Sequence, residues 1–140
     1  MPGLSLKWAG VLELREEFRR LPGRLRYEAR VIVESTAQLA AADIRAAYPR
    51  RTGRLADSVV VQLRQRGPFG VVAHVRNTAP HAHIFEHGTT ARLTRAGWPR
   101  GIMPAGNVFL PRIHRARGRM YAQLVALLER EGFTVSGEAA

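Results

Sequence analysis

The chain has 140 residues, 46% of them hydrophobic, no cysteine and a formal net charge of +11. That length suits a single domain over residues 1–140 that buries about two-thirds of its unfolded surface, and the ordinary hydrophobic content excludes global disorder. Missing cysteine excludes disulfides and thiolate metal sites, and no apolar run approaches the length of a bilayer span.

Met1-Pro2-Gly3 opens nothing like a signal peptide, so the expectation is a soluble protein used in the cytoplasm or built into a particle there, with no membrane partner. Lys7 is the only lysine among 22 basic residues. Arginine makes planar, bidentate contacts to carboxylates and phosphates, although such a bias also follows from a GC-rich genome. The basic residues spread along the whole chain, which reads as a distributed positive field attractive to polyanions and acidic surfaces.

In chain order, Leu4 to Trp8 alternate loosely as a short strand would. Val11, Leu14, Phe18 and Leu21 recur at helical spacing until Pro22-Gly23 interrupts them. A longer helix follows. One stripe carries Leu25, Ala29, Ile32, Thr36, Leu39, Asp43 and Ala47, with Val33, Ala37, Ala40 and Ile44 beside it. It must stop near Tyr48, because Pro49 pushes the preceding residue out of helical geometry. Such a helix is about 36 Å long, and its alanines suit close packing.

From Ser58 the period changes to two. Val59, Val61 and Leu63 alternate with Val60, Gln62 and Arg64; after a Gly/Pro loop, Val71, Ala73 and Val75 alternate with Val72, His74 and Arg76. Two half-buried strands joined this way form an antiparallel hairpin. Asn77 to Pro80 reads as a turn. Residues 90–107 are rich in Gly, Pro and Arg without any period, an extended loop or arm too long for an ordinary connection. Pro111 suits the first turn of a last helix, whose apolar face takes Leu110, Ile113, Met120, Tyr121, Leu124, Leu127 and Leu128. Gly118 weakens that helix unless it permits close packing. Gly132 ends it, Phe133-Thr134-Val135 is placed as an edge strand, and residues 136–140 as a flexible tail. The class is α+β: a long N-terminal helix and a C-terminal helix packed on a small antiparallel sheet.

Several clusters invite chemistry. His81, His83 and His87 crowd around Glu86, and imidazole with carboxylate is zinc chemistry; a metal-dependent hydrolase is therefore an alternative reading. The spacing matches neither a H-E-x-x-H helix nor a finger, so an exposed or interface cluster is preferred. General-acid work by Glu86 needs a second positioned acid or a nucleophile, and only Asp57 is a remote candidate. Glu86 is better explained structurally, since with 22 basic residues a carboxylate partner is easily found. Thr52 is placed to cap the turn at Gly53-Arg54-Leu55, while Gly53 takes backbone angles other residues avoid. Arg50, Arg51 and Arg54 flank it, but the glycine spacing of a phosphate loop is absent. A free-standing non-specific DNA-binding protein is the other alternative, since it needs only positive surface; recognition helices, fingers and aromatic sheet motifs are all missing.

Taken together, the order is a long helix, then Pro49-x-x-Thr52-Gly53-x-Leu55-x-x-Ser58, a hairpin, Ala82-x-x-x-Glu86-x-Gly88-Thr89, an irregular loop, Phe109-Leu110-Pro111 and a helix. This order, over roughly Leu12 to Leu128, resembles the tail-completion or minor tail-component proteins from the neck of long-tailed double-stranded DNA phages. His81 departs from the resembled pattern, where an aromatic residue is usual. The resemblance implies a non-catalytic structural virion protein without cofactor or metal. It also implies self-assembly into a ring, expected to be a hexamer, through which the genome passes. Its partners would be adjacent neck, connector, tail-terminator or tail-tube proteins, with non-specific contact to DNA in the lumen. The loop then becomes an inter-subunit arm anchored by Leu93, Trp98, Ile102 and Met103, apolar residues with no periodic element to bury them.

Overall fold

The computed structural model describes residues 23–66 and 70–135. The sequence expectations for residues 4–8, 11–21 and 136–140 lie outside the described residues. Helix α1 (Gly23–Ala47) stops one residue short of Tyr48, as the proline demands. Its buried residues are Leu25, Ala29, Ala37, Ala40, Ala41 and Ile44. That ridge advances mostly in steps of four, so it slants across the helix, and the partners cross α1 at an angle. The slant corrects one expectation. Leu39, assigned to the buried stripe, is 68% exposed because the ridge has rotated away from it by mid-helix.

After α1 a single turn, α2 (Arg54–Asp57), carries Leu55 and Ala56 into the core. Strands β1 (Val59–Arg66) and β2 (Gly70–Asn77) pair antiparallel, with Val61 opposite Val75 and Leu63 opposite Ala73. Strand alternation puts Val59, Val61 and Val75 on one face, which packs against the second half of α1. Short helix α3 (Ala82–His87) follows, and α4 (Phe109–Arg130) closes the order. Among the described residues the sheet has these two strands only.

Helices α1 and α4 lie antiparallel. At one end Arg24 pairs with Glu131 at 2.8 Å and Arg130 with Glu28; at the other Arg112 pairs with Asp43 at 3.4 Å. Between them Leu25 and Ala29 meet Leu124, Leu127 and Leu128. A second core joins Ala41 and Ile44 of α1, and Tyr48 just after it, to Leu55, Ala56, Val59, Ala79 and Ala82. Phe133-Thr134-Val135 is not an edge strand. Gly132, at φ 86°, turns the chain in the left-handed region, and the Phe133 N–H donates to the Leu128 carbonyl at 3.0 Å. This C-terminal cap folds Phe133 and Val135 onto the leucine cluster, a packing that competes with strand pairing. Leu110 is a further correction: at 54% exposure it faces solvent, not the core.

Candidate functional site

The site is built around one carboxylate. The Asn77 carboxamide accepts from the Ala79 N–H at 2.9 Å and donates to the Leu55 carbonyl at 2.9 Å, so the end of β2 is bent and tied to α2. This bend starts α3, whose last turn presents Glu86. The Tyr48 hydroxyl donates to Glu86 Oε1 at 2.9 Å. The Val108 N–H donates to Oε2 at 3.0 Å, and the Phe109 N–H reaches both oxygens at 3.1 Å. Three elements therefore meet on one side chain: the end of α1, α3 itself, and the first N–H groups of α4.

The chemistry explains why an acid is needed there. The first N–H groups of a helix lack intrahelical partners, and their partial positive charge favours an anion. N–H donors to a carboxylate make charge-assisted bonds stronger than neutral ones. Tyr48 is 2% exposed, so its hydroxyl must find an acceptor inside the protein. Burial, then the bond to Glu86, push the Tyr48 phenol up to about 12. The ring also packs edge-on against Phe85, with centroids 5.6 Å apart. The partners of Glu86 are a phenol and two backbone amides, and among the described residues no arginine bonds it.

Gly88 and Thr89 complete the motif. Gly88 has φ 72°, and a Cβ there would lie 2.6 Å from the Met103 carbonyl oxygen and 2.8 Å from the Ala105 nitrogen. Only glycine allows both the angle and the approach. Beside it, the Thr89 N–H donates to the Met103 carbonyl at 2.8 Å, and the Met103 N–H to the Thr89 hydroxyl at 3.1 Å. The Gly106 N–H donates to the Phe85 carbonyl at 2.8 Å, with Gly106 tucked under the Phe85 ring. Glu86-x-Gly88-Thr89 is thus a clasp that closes the base of the long loop.

Beyond the clasp the irregular loop carries one small hairpin turn. Leu93 bridges Pro99, the Arg100 N–H donates to the Arg92 carbonyl at 2.7 Å, and the Thr94 N–H to the Trp98 carbonyl at 2.7 Å. Leu93, Trp98 and Ile102 are 69%, 71% and 70% exposed. Met103 stands apart from them, half-buried in the base. Arg92, Arg95 and Arg100 are exposed and hold no ion pair among the described residues.

The other sequence candidates sit elsewhere. Pro111 falls in the first turn of α4, where no intrahelical donor is due, and Phe109 lies on the Glu86 clamp. Leu55 and Ala82 are core residues. The Ser58 carbonyl accepts from the Thr78 N–H at 2.9 Å and from its hydroxyl at 3.1 Å. Pro49 and Thr52 are exposed. The capping role expected of Thr52 is not seen: Gly53, at φ 77°, is the cap residue of α2, and no side chain bonds there. His83 and His87 are exposed on α3, after His81. Among the described residues no three of His, Asp or Glu gather as a metal site. A shallow concavity of about 300 Å³ lies over the clamp, lined by Tyr48, Val75, Ala82, Phe109 and Leu110.

Two further structural residues carried no sequence signal. Arg45 donates twice to the Val59 carbonyl, at 2.7 and 3.2 Å, tying α1 to the start of β1. Arg112 donates to the Val108 carbonyl at 3.3 Å, beside the clamp. Among the described residues no helix is long and apolar enough to cross a membrane.

Comparison with curated proteins and with solved structures finds no match. Comparison with protein families matches residues 13–88, a range that takes in the Thr52-Gly53 motif and ends at Gly88. On that match, covering more than half of its length, the chain belongs to the HK97-gp10-like family, described as "Bacteriophage HK97-gp10, putative tail-component".

Proposed function

We propose that this chain is a non-catalytic structural protein of the phage neck, assembling as a ring of six that completes or joins the tail and lets DNA pass. Family membership supplies the tail-component role. The observation that carries the finer reading is the arm. Leu93, Trp98 and Ile102 stand exposed on a hairpin whose base is clasped by Thr89 and Met103. A tryptophan among other apolar side chains on a held support is typical of an interface anchor. Because the hairpin is already hydrogen-bonded, less ordering entropy opposes binding than for a floppy loop.

In this reading the arm reaches another subunit of the particle, and neighbouring connector, tail-terminator or tail-tube proteins complete the contacts. Electron microscopy of particles from a null mutant tests it. Full heads and separate tails are expected; normal, infectious virions would end the hypothesis.

A second reading, contact with genomic DNA, rests on a different observation. No carboxylate occurs between Glu86 and Glu129, while Arg92, Arg95, Arg100, Arg115 and Arg119 are exposed in that span. Such a surface suits phosphate contact within a lumen. Binding of duplex DNA by the isolated chain should then weaken steeply with added salt.

A further inference from the structure

The chemistry of the arm limits what can cover it. Arg92, Arg95 and Arg100 are exposed among Leu93, Trp98 and Ile102, and the sequence holds no carboxylate from His87 to Leu128. Apolar anchors interspersed with cations are complementary to an apolar pocket bordered by anions.

A second copy of this chain offers no such surface among the described residues. Glu28 and Glu131 pair with Arg24 and Arg130, Asp43 pairs with Arg112, and Glu86 is held in the clamp. Glu34, Asp57 and Glu129 stand singly on α1, α2 and α4. Outside the described residues, Glu13, Glu16 and Glu17 share their stretch of sequence with Arg15, Arg19 and Arg20, which cancel its charge. The concavity over the clamp has room for an indole ring, but Arg76, His83 and His87 border it and both Glu86 oxygens are taken. An arm entering it from a neighbouring copy would set arginine against arginine. Duplex DNA fits only half of the pattern. Its phosphates suit the arginines, but its bases are stacked inside, so nothing on its backbone covers three large apolar side chains.

We propose that the arm docks on a particle protein of different sequence, at an apolar pocket bordered by carboxylates, and that copies of this chain meet through other surfaces. This rests on the reading of the arm as an interface anchor. Trp98 fills the pocket, Leu93 and Ile102 cover its edge, and the three guanidinium groups bond the carboxylates. The net charge acts in the same direction at longer range: at +11, like copies repel, while an acidic neighbour draws the chain in.

Photocrosslinking in the assembled particle tests this. The photoreactive p-benzoylphenylalanine replaces Trp98 in one variant and Leu93 in another, and mass spectrometry identifies the crosslinked peptide. A peptide from a different particle protein is expected. A peptide of this chain's own sequence, an adduct on DNA, or no crosslink from either position would overturn the proposal. Absence of the native chain from purified particles would end the virion reading as well, whereas its presence with a self-crosslink ends this one alone.

A second measurement isolates the charge. Arg92→Gln, Arg95→Gln and Arg100→Gln together should lower incorporation into null-mutant extracts by about tenfold or more, and lysine at the same three positions should recover part of it. Added salt should lower incorporation of the native chain and change that of the neutralised variant little. In sedimentation velocity the neutralised variant should match the native chain. Weaker self-association of that variant, or incorporation indifferent to the three arginines, would show that the arm does not select an acidic partner.

Discussion

The base of the long loop, at Thr89 and Met103, and its tip, at Thr94 to Trp98, lie close together in the chain, yet they are built on opposite principles. At the base both Glu86 oxygens are held by Tyr48, Val108 and Phe109, and Gly88 and Gly106 let backbone and ring approach within contact distance. At the tip the backbone is hydrogen-bonded, but three large apolar side chains and three arginines face solvent. The difference teaches where stability and assembly reside. Substitutions at the base should cost folding free energy, and substitutions at the tip should cost association alone.

The largest expected effect is Glu86→Ala. It strands the buried Tyr48 hydroxyl and removes the acceptor for the first N–H groups of α4 together. Leaving a buried hydroxyl without its charged acceptor costs about 1–3 kcal/mol, and the bare helix N–H groups add to that loss. Urea unfolding should show the midpoint falling by that loss divided by the slope, with the slope itself unchanged. Glu86→Gln keeps one acceptor oxygen and should lose clearly less. Equal losses in both would mean that the charge is irrelevant to the clamp.

Next comes alkaline pH. Folding raises the Tyr48 pKa from 10.0 to about 12, so the folded chain holds that proton more tightly than the unfolded chain does. The contribution is whole below pH 10, where both states are protonated, and is lost as pH rises through about 12. Two units correspond to about 2–3 kcal/mol. Stability measured across that window should fall more steeply in the native chain than in Tyr48→Phe. Parallel curves would remove Tyr48 from the alkaline response.

Much of this architecture could be read from residue order. Pro49 set the end of α1, the period change at Ser58 set the hairpin, and Gly132 set the end of α4. These are local signals, acting within a few residues. Glu86-x-Gly88-Thr89 could be seen as a turn, but its partners Tyr48, Met103 and Val108 lie 14 to 38 residues away. No spacing rule reports such contacts. Leu39 and Phe133 were misplaced for a related reason. Periodicity says that a residue repeats with its neighbours, but the slant of the buried ridge and the cap at Gly132 decide which repeats are covered.

A smaller effect is expected at Gly118, midway along α4. A Cβ there would meet nothing within 4 Å, so the glycine is not needed for packing inside the subunit. Gly118→Ala should stabilise the isolated chain by about 1 kcal/mol, the helix-propensity difference. If the same variant is poorly incorporated into particles, the bare patch on α4 is itself a contact.

The smallest effect on stability, and the sharpest contrast with Glu86, belongs to Trp98→Ala. The side chain is 71% exposed and only its backbone takes part in the hairpin, through the Thr94 amide and hydroxyl. Folding free energy should therefore stay within about 0.5 kcal/mol of the native chain, as for ordinary surface changes. Incorporation into particles should nevertheless fall, because a buried tryptophan anchor typically carries 2 kcal/mol or more of an interface, roughly a thirtyfold loss of affinity. Limited proteolysis links the two measurements. Trypsin should cut after Arg92, Arg95 or Arg100 faster in the isolated chain than in the particle, where the arm is covered. Equal cutting in both states, with normal incorporation of Trp98→Ala, would mean that the tip has no partner and that the clasp at its base serves the fold alone.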